Sequence, residues 1–291
     1  MRPTLFVLNG TPVPSYSVFM VLGFIAALAT IMLIVPKGSD QAPGGLDRPQ
    51  AWDVFLVMVV SAVFGSKWGH VLFEAPGHVT ADGRPINSIA ELLADDPWHW
   101  LRIGEAGYVW YGGMLACLGV AAFYFWRRPH LNAWLFADTF APAVMIGAML
   151  GRTGCFLSGC CYGRPTESFL GVQFPHLPGP VYPTQIYDAL IAAALGALLL
   201  YRFPRRRFDG ENIALLLITY PMFRSLTEAF RGDPERGGFG PLSTSQWISI
   251  PLLLLGVALY VVLQRRGQVT VLSRSASDES SPGVAPSSSQ A

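Results

Sequence analysis

Residues 15–36 read SYSVFMVLGFIAALATIMLIVP, 22 positions without a charged side chain. An apolar helix needs about 20 residues to cross a bilayer, so this stretch is long enough to span one. Six similar stretches follow, at roughly 51–73, 107–126, 134–152, 183–203, 212–230 and 246–264. Composition agrees. Of 291 residues, 52% are apolar and 13% charged, about half the charged share of a soluble protein, and mean hydropathy is +0.39. Lys and Arg number 20 against 19 Asp and Glu, so no basic excess points to nucleic acid. The same apolar content excludes disorder for most of the chain. No stretch alternates apolar and polar residues, which argues against a β-barrel. The first stretch has only Arg2 ahead of it, no small-residue cleavage site and six spans behind, so it is not read as a cleavable signal peptide. The expected fold is all-α: a polytopic membrane protein with seven transmembrane helices in one unit, residues 1–266, and a Ser-rich, disordered tail over 267–291.

Basic residues of the short loops set the orientation. Lys37 and Arg48 follow the first span, Arg127 and Arg128 the third, Arg202, Arg205, Arg206 and Arg207 the fifth, and Arg265 and Arg266 the seventh. The alternate connections carry Asp82, Glu91, Asp95, Asp96 and Glu105, or Gly and Pro. The N-terminus is therefore expected outside and the C-terminus in the cytoplasm. Within the long loop at about 74–106, Ser88-Ile-Ala-Glu-Leu-Leu and Trp98-His-Trp100 suggest a short helix in the membrane interface, with the tryptophans at headgroup level.

Ionisable groups inside spans are functional candidates, because a charge at the bilayer centre costs about 2.5–3.5 kcal/mol. Span two carries Asp53, Lys67 and His70, span four Asp138, span five Asp188, and span six Arg224 and Glu228. For the three aspartates, ion pairing that holds the bundle together is the simpler reading. Arg224 is placed about 18 Å from the inner end of its span at the helical rise. Glu228 at i+4 and Arg231 at i+7 fall on the same helical face. One Arg–Glu pair leaves the third positive charge for an anion. Arg152 closes span four at its outer end, Tyr111 stands about 6 Å into span three, and Tyr16 opens span one. These residues are expected together in the outer half of the membrane. Arginine holds phosphate by bidentate, charge-assisted bonds and cannot be neutralised, so the set predicts a site for an anionic lipid headgroup.

From Gly151 the chain reads GRTGCFLSGCCYGRPT to Thr166. Its four glycines and its proline predict a tight, non-helical loop whose backbone N–H groups face a ligand. It contains Cys155, Cys160 and Cys161, on the oxidising side in the expected topology. Three readings stay open: a disulfide, a metal site without a four-ligand spacing, or free thiols packing as small apolar residues. Cys117, alone in span three, reads as packing.

These residues resemble the bacterial prolipoprotein diacylglyceryl transferases from about residue 10 to 264. The strongest piece is Gly151-Arg152-x-Gly154-x-Phe156-x-x-Gly159-x-x-x-Gly163-Arg164-Pro165-Thr166. Tyr182-Pro-Thr-Gln-Ile-Tyr187, Phe223-Arg224-x-x-x-Glu228-x-x-Arg231 and Leu242-Ser-x-x-Gln246-x-x-Ser-Ile-Pro251 are similar too. Gly65-x-Lys67-x-Gly69-x-Val71-Leu-Phe73, Asp138-x-x-x-Pro142 and Tyr16 fit more loosely. The resemblance implies a seven-span enzyme of the bacterial cytoplasmic (inner) membrane. Its lipid substrate would be phosphatidylglycerol, and its partner a prolipoprotein signal peptide. It would move a diacylglyceryl group onto the lipobox cysteine and release glycerol phosphate, with no cofactor or metal. Arg152 and Arg224 would hold the phosphate and stabilise its developing charge, and Glu228 and Arg231 would orient Arg224. Tyr16, Cys155 and Gly163 fall at substrate-binding positions.

At three positions the sequence differs from that pattern: Tyr111 stands for a His ahead of Gly112-Gly113, Cys155 for an Asn and Cys160 for a Glu. Neutral imidazole can deprotonate a thiol, whereas a phenol of pKa about 10 is a donor at neutral pH. Tyr111 is therefore expected as donor or perturbed base in the transferase reading. A second reading is a divergent relative that binds anionic phospholipid but does other lipid or thiol chemistry. A third is a non-enzymatic lipid-binding or transport protein, disfavoured by the lack of an internal repeat.

Overall fold

The structure, a computed structural model, describes residues 2–8, 10–35, 45–74, 88–95, 98, 109–231, 238–239 and 242–267. Lys37, Asp82, Asp96, Trp100, Glu105 and the tail beyond Gly267 lie outside the described residues.

A hairpin of β1 (Thr4–Leu8) and β2 (Thr11–Pro14) delivers the chain into α1 (Ser15–Ile34). Next come α2 (Arg48–Glu74), the short α3 (Ile89–Asp95), α4 (Trp110–Arg127) and α5 (Ala133–Ser158). The pair β3 (Val172–Gln173) and β4 (Pro180–Val181) precedes α6 (Thr184–Arg202) and α7 (Glu211–Glu228). A last pair, β5 (Gly238–Phe239) and β6 (Leu242–Ser243), leads into α8 (Thr244–Arg266). The protein is mostly helical, and among the described residues α1, α2, α5, α6 and α8 are long and apolar enough to cross a membrane. The two other expected stretches form the 18-residue helices α4 and α7. They are less apolar because α4 carries Gly112, Gly113 and Arg127, and α7 carries Glu211, Asn212, Arg224 and Glu228.

The outer surface is that of a protein in lipid. Leu33 is 85% exposed and Leu254 64%, while polar side chains turn inward: Lys67, Asp138, Gln185 and Glu211 are fully buried. Asp53, by contrast, lies exposed near the start of α2. Helix α5 is central, packing along α1 and α6 and also touching α7; α2 pairs with α4, and α7 with α8. One apolar cluster, including Ile31, Val54, Phe136 and Phe140, joins α1, α2 and α5. The other, including Met145, Leu195, Leu199 and Leu216, joins α5, α6 and α7. Between α2 and α4, Gly65 and Gly69 meet Gly112 so closely that a Cβ on Gly112 would collide with the Gly65 carbonyl. This is the small-residue packing that brings membrane helices into backbone contact.

Two polar constructions fix the opposite end of the bundle from the Arg224–Glu228 pair. Asp138 of α5 accepts from Gly210 N–H (2.7 Å) and Ile213 N–H (3.0 Å). It thereby supplies the cap that the N-terminus of α7 lacks within its own strand of chain. Glu211, buried, pairs with Arg202 and Arg207, and Arg207 also bonds the Tyr260 hydroxyl of α8. Of the three aspartates expected to hold the bundle by ion pairing, Asp138 does so through backbone N–H groups instead, Asp188 does pair with arginines, and Asp53 is exposed.

The stretch beginning at Gly151 departs from expectation. Residues 151–158 are helical, the last two turns of α5, so the tight turn starts only at Gly159. Neither Gly151 nor Gly154 breaks the helix, since glycine lowers helix propensity only modestly; Gly154 lies against Tyr16 and Phe19 of α1, where a Cβ would come within 2.8 Å of Phe19. Gly159 ends the helix in the left-handed conformation at φ +76°, which glycine adopts without a steric penalty. Arg152 and Cys155 are therefore helical residues, not loop residues.

Candidate active site

Arg224 sits one turn before the end of α7. Its guanidinium pairs with Glu228 (Nη2–Oε2 2.6 Å) and donates to Thr227 Oγ1 (3.2 Å) and Ser245 Oγ (3.1 Å). The i, i+4 spacing makes the first contact. Ser245 arrives because Ser243 and Gln246 form a reciprocal capping box at the start of α8. Arg152 lies on α5 and meets Asp188 of α6 at 3.4 Å. Arg231 approaches the same carboxylate oxygen at 4.0 Å. Arg231 does not continue the helical face of Arg224 and Glu228. Helix α7 ends at Glu228, and Arg231 instead forms an isolated antiparallel bridge with Gly163. Asp188 is thus a shared carboxylate for two arginines from different elements, a role that spacing within any one helix could not reveal.

Gly163 is held by backbone bonds to Tyr182 (N to O, 2.8 Å), while Arg164 N–H bonds Phe230 O (3.0 Å). A Cβ at 163 would lie 2.5 Å from the Phe230 carbonyl, so the close approach of the two chains requires glycine there. Tyr16, at the start of α1, takes its backbone N–H to Ser158 Oγ (3.1 Å) at the end of α5. Its ring is close enough to interact electrostatically with Arg152 and Cys155, Cys160 and Cys161. Tyr111 opens α4, whose main packing is on α2. Arg152, Arg224 and Tyr16 stand on α5, α7 and α1, and Arg231 just beyond α7, whereas Tyr111 stands on α4.

A recess lies between α5, α6 and α7. Its polar lining is Arg152, Asp188, Tyr220 and Arg224, and its walls are Ala148, Ile191, Ala192 and Phe223. Cationic groups beside aliphatic and aromatic walls suit an amphiphile with an anionic head.

Beside it the three cysteines converge, their sulfurs within 4.8 Å of one another. All are free thiols, so the disulfide reading has no support in this geometry, whereas Cys117 donates to the Met58 carbonyl (3.3 Å) as a packed thiol. Two buried residues at the start of α6 hold the Cys160–Cys161 backbone: Gln185 donates to Cys160 O (2.6 Å) and Thr184 to Cys161 O (3.0 Å). Cys161 adopts φ +61°, left-handed for a residue with a Cβ, at a cost of about 1–2 kcal/mol. Hydrogen bonds from Cys155 and Cys160, followed by the charges of Arg152 and Arg231, hold the Cys161 thiol below its ordinary value.

Fold and site together define a membrane-embedded helical bundle built around buried arginine–carboxylate pairs. The model of the family described as prolipoprotein diacylglyceryl transferase matches residues 3–262. The chain is 30% identical over 274 residues to phosphatidylglycerol–prolipoprotein diacylglyceryl transferase 2 of Clostridium perfringens, covering 92% of this chain and 98% of that protein. It is also 30% identical over 268 residues to the phosphatidylglycerol–prolipoprotein diacylglyceryl transferase of Geobacter sulfurreducens (91% and 96%), and 31% over 264 residues to that of Paracidovorax citrulli (84% and 90%). The chain belongs to the prolipoprotein diacylglyceryl transferase family.

Proposed function

We propose that this protein transfers the diacylglyceryl group of phosphatidylglycerol to the lipobox cysteine thiol of prolipoproteins. The observation that carries this reading is the recess in which Arg152 and Arg224 meet apolar walls. The thiol sulfur attacks the glyceryl carbon esterified to phosphate. A C–S bond forms, the C–O bond breaks, its electron pair leaves with glycerol phosphate, and the thiol proton passes to solvent. Charge grows on the phosphate oxygens as that bond breaks, and guanidiniums already fixed in position stabilise it without reorganisation. Glu228 positions Arg224, while Asp188 positions Arg152 and Arg231. Tyr16 and Gly163 border the substrate, and Tyr111 acts as a hydrogen-bond donor.

The same reading places seven spans, α1, α2 and α4 to α8, in the bacterial cytoplasmic membrane with the N-terminus outside. It treats residues 1–266 as one catalytic unit with a cytoplasmic tail. Its support is the alternation of basic clusters along the chain.

The test is turnover by purified full-length protein, with phosphatidylglycerol and a lipobox peptide, scored as the diacylglyceryl mass added to the peptide cysteine. Modification is expected, and Arg224→Ala should lower it by about 100-fold or more. An unmodified peptide with the wild-type protein would overturn the assignment.

A further inference from the structure

We propose that Cys155, Cys160 and Cys161 form a three-thiolate site for a zinc ion whose fourth position is open to an incoming thiol. The spacing of these cysteines in sequence matches no four-ligand motif, and the fold supplies what the spacing does not. Cys155 comes from the last turn of α5, Cys160 follows the Gly159 turn, and the left-handed backbone of Cys161 folds the third sulfur back onto the other two. The sulfurs lie within 4.8 Å of one another. Tetrahedral zinc–thiolate bonds of about 2.3 Å place sulfurs about 3.8 Å apart, so a small inward movement of side chains closes the site. The backbone beneath is already fixed, since Thr184 and Gln185 hold the carbonyls of Cys161 and Cys160.

Two other uses fit less well: a disulfide between Cys160 and Cys161, and apolar packing of all three. Cys160 and Cys161 are adjacent through a trans peptide, which sets their Cα atoms about 3.8 Å apart, below the usual disulfide range of about 4.4–6.8 Å. Packing as small apolar residues does not account for Cys160, which is exposed, or for the left-handed Cys161. Three thiolates around a divalent ion carry a net negative charge, suited to the positive field of Arg152 and Arg231 at Cys161. Burial grades from Cys155, buried, through Cys161 to Cys160, exposed. The ion is therefore reached from one side, and its fourth position faces that side.

Three protein ligands with one open position are the arrangement of catalytic zinc, and a coordinating thiol is deprotonated outright. If the transferase reading holds, the occupant of the open position is the lipobox thiol. Its proton would go to water on coordination, and its sulfur would form the C–S bond as the C–O bond to phosphate breaks and glycerol phosphate leaves with the electron pair. The product thioether, a weaker ligand, would then depart. This role needs no histidine at position 111.

The experiment uses the full-length chain in detergent, purified reduced and without oxygen, with zinc(II) and cobalt(II) as probes. One zinc per chain is expected, with a thiolate-to-cobalt charge-transfer band. Cys160→Ser and Cys161→Ser should each weaken zinc binding at least tenfold, while Cys117→Ser leaves it unchanged. Should either site variant fail to fold, the wild-type protein still decides: bound zinc must protect the three thiols from N-ethylmaleimide. A lipobox peptide should shift the cobalt band, and a peptide with Ser for Cys should not. Zinc binding that survives both site variants, thiols that zinc leaves unprotected, or a disulfide in the native chain would overturn the site. A cobalt band indifferent to the peptide thiol would overturn the open position. Turnover is measured in parallel, so the two readings fail separately: zinc held by the cysteines without turnover removes the transferase, and turnover by zinc-free protein removes the metal from the reaction.

Discussion

Asp188 shows how one side chain can organise a site that no local pattern reveals. It stands near the start of α6 and accepts Arg152 from α5 and Arg231 from beyond α7. Sequence reading isolated the arginines because charge inside an apolar run is conspicuous, and it paired Arg224 with Glu228 because i, i+4 residues share a face. It could not give Asp188 two partners, because both lie on other elements. Nor could it see Ser245 and Thr227 beside Arg224. Removing the carboxylate leaves two cations without their common anchor, and breaking a buried ion pair from one side costs about 3–5 kcal/mol. Asp188→Asn should therefore lower kcat at least tenfold and lower the melting temperature in detergent. Turnover and a thermal melt check both, and an unchanged kcat would remove Asp188 from the positioning role.

At the scale of elements, the helices were legible and their ends less so. Apolar runs bounded by Arg, Pro and Gly located α1, α2 and α4 to α8 to within a few residues at most boundaries. The error at α5 was physical: Gly151 and Gly154 read as breakers, yet both sit in a helix, and at 154 α1 packs too closely for a side chain. Those two extra turns carry Arg152 and Cys155 on α5, and no periodicity argument shows three sulfurs meeting across the turn. The Asp138 cap offers a test at this scale. With its carboxylate gone, Gly210 and Ile213 lose their acceptors, at about 1–3 kcal/mol for each orphaned donor. Asp138→Ala should destabilise the fold by several kcal/mol, and denaturant unfolding in mixed micelles would measure it. A change under 1 kcal/mol would mean that the cap contributes little.

For the whole molecule, the orientation inferred from the basic loops has a direct readout. An epitope added after Gly267, where α8 ends in a left-handed cap at φ +60°, should resist protease outside intact spheroplasts and be digested once they are lysed. Digestion before lysis would invert the topology and put the arginine recess on the wrong side for exported substrates. The segment from Gly163 to Tyr182 bears on handling the protein. It is stitched at its base by Gly163 N to Tyr182 O, Tyr182 N to Arg164 O and Thr166 N to Pro180 O, at 2.8–3.1 Å. Its tip carries Phe169, 94% exposed, and Leu170, 48%. A stitched base and a free tip make a natural attachment point. A peptide tag inserted between Phe169 and Leu170 should leave turnover within about twofold of the parent while giving an antibody fragment or a fluorophore a grip on a protein otherwise wrapped in lipid.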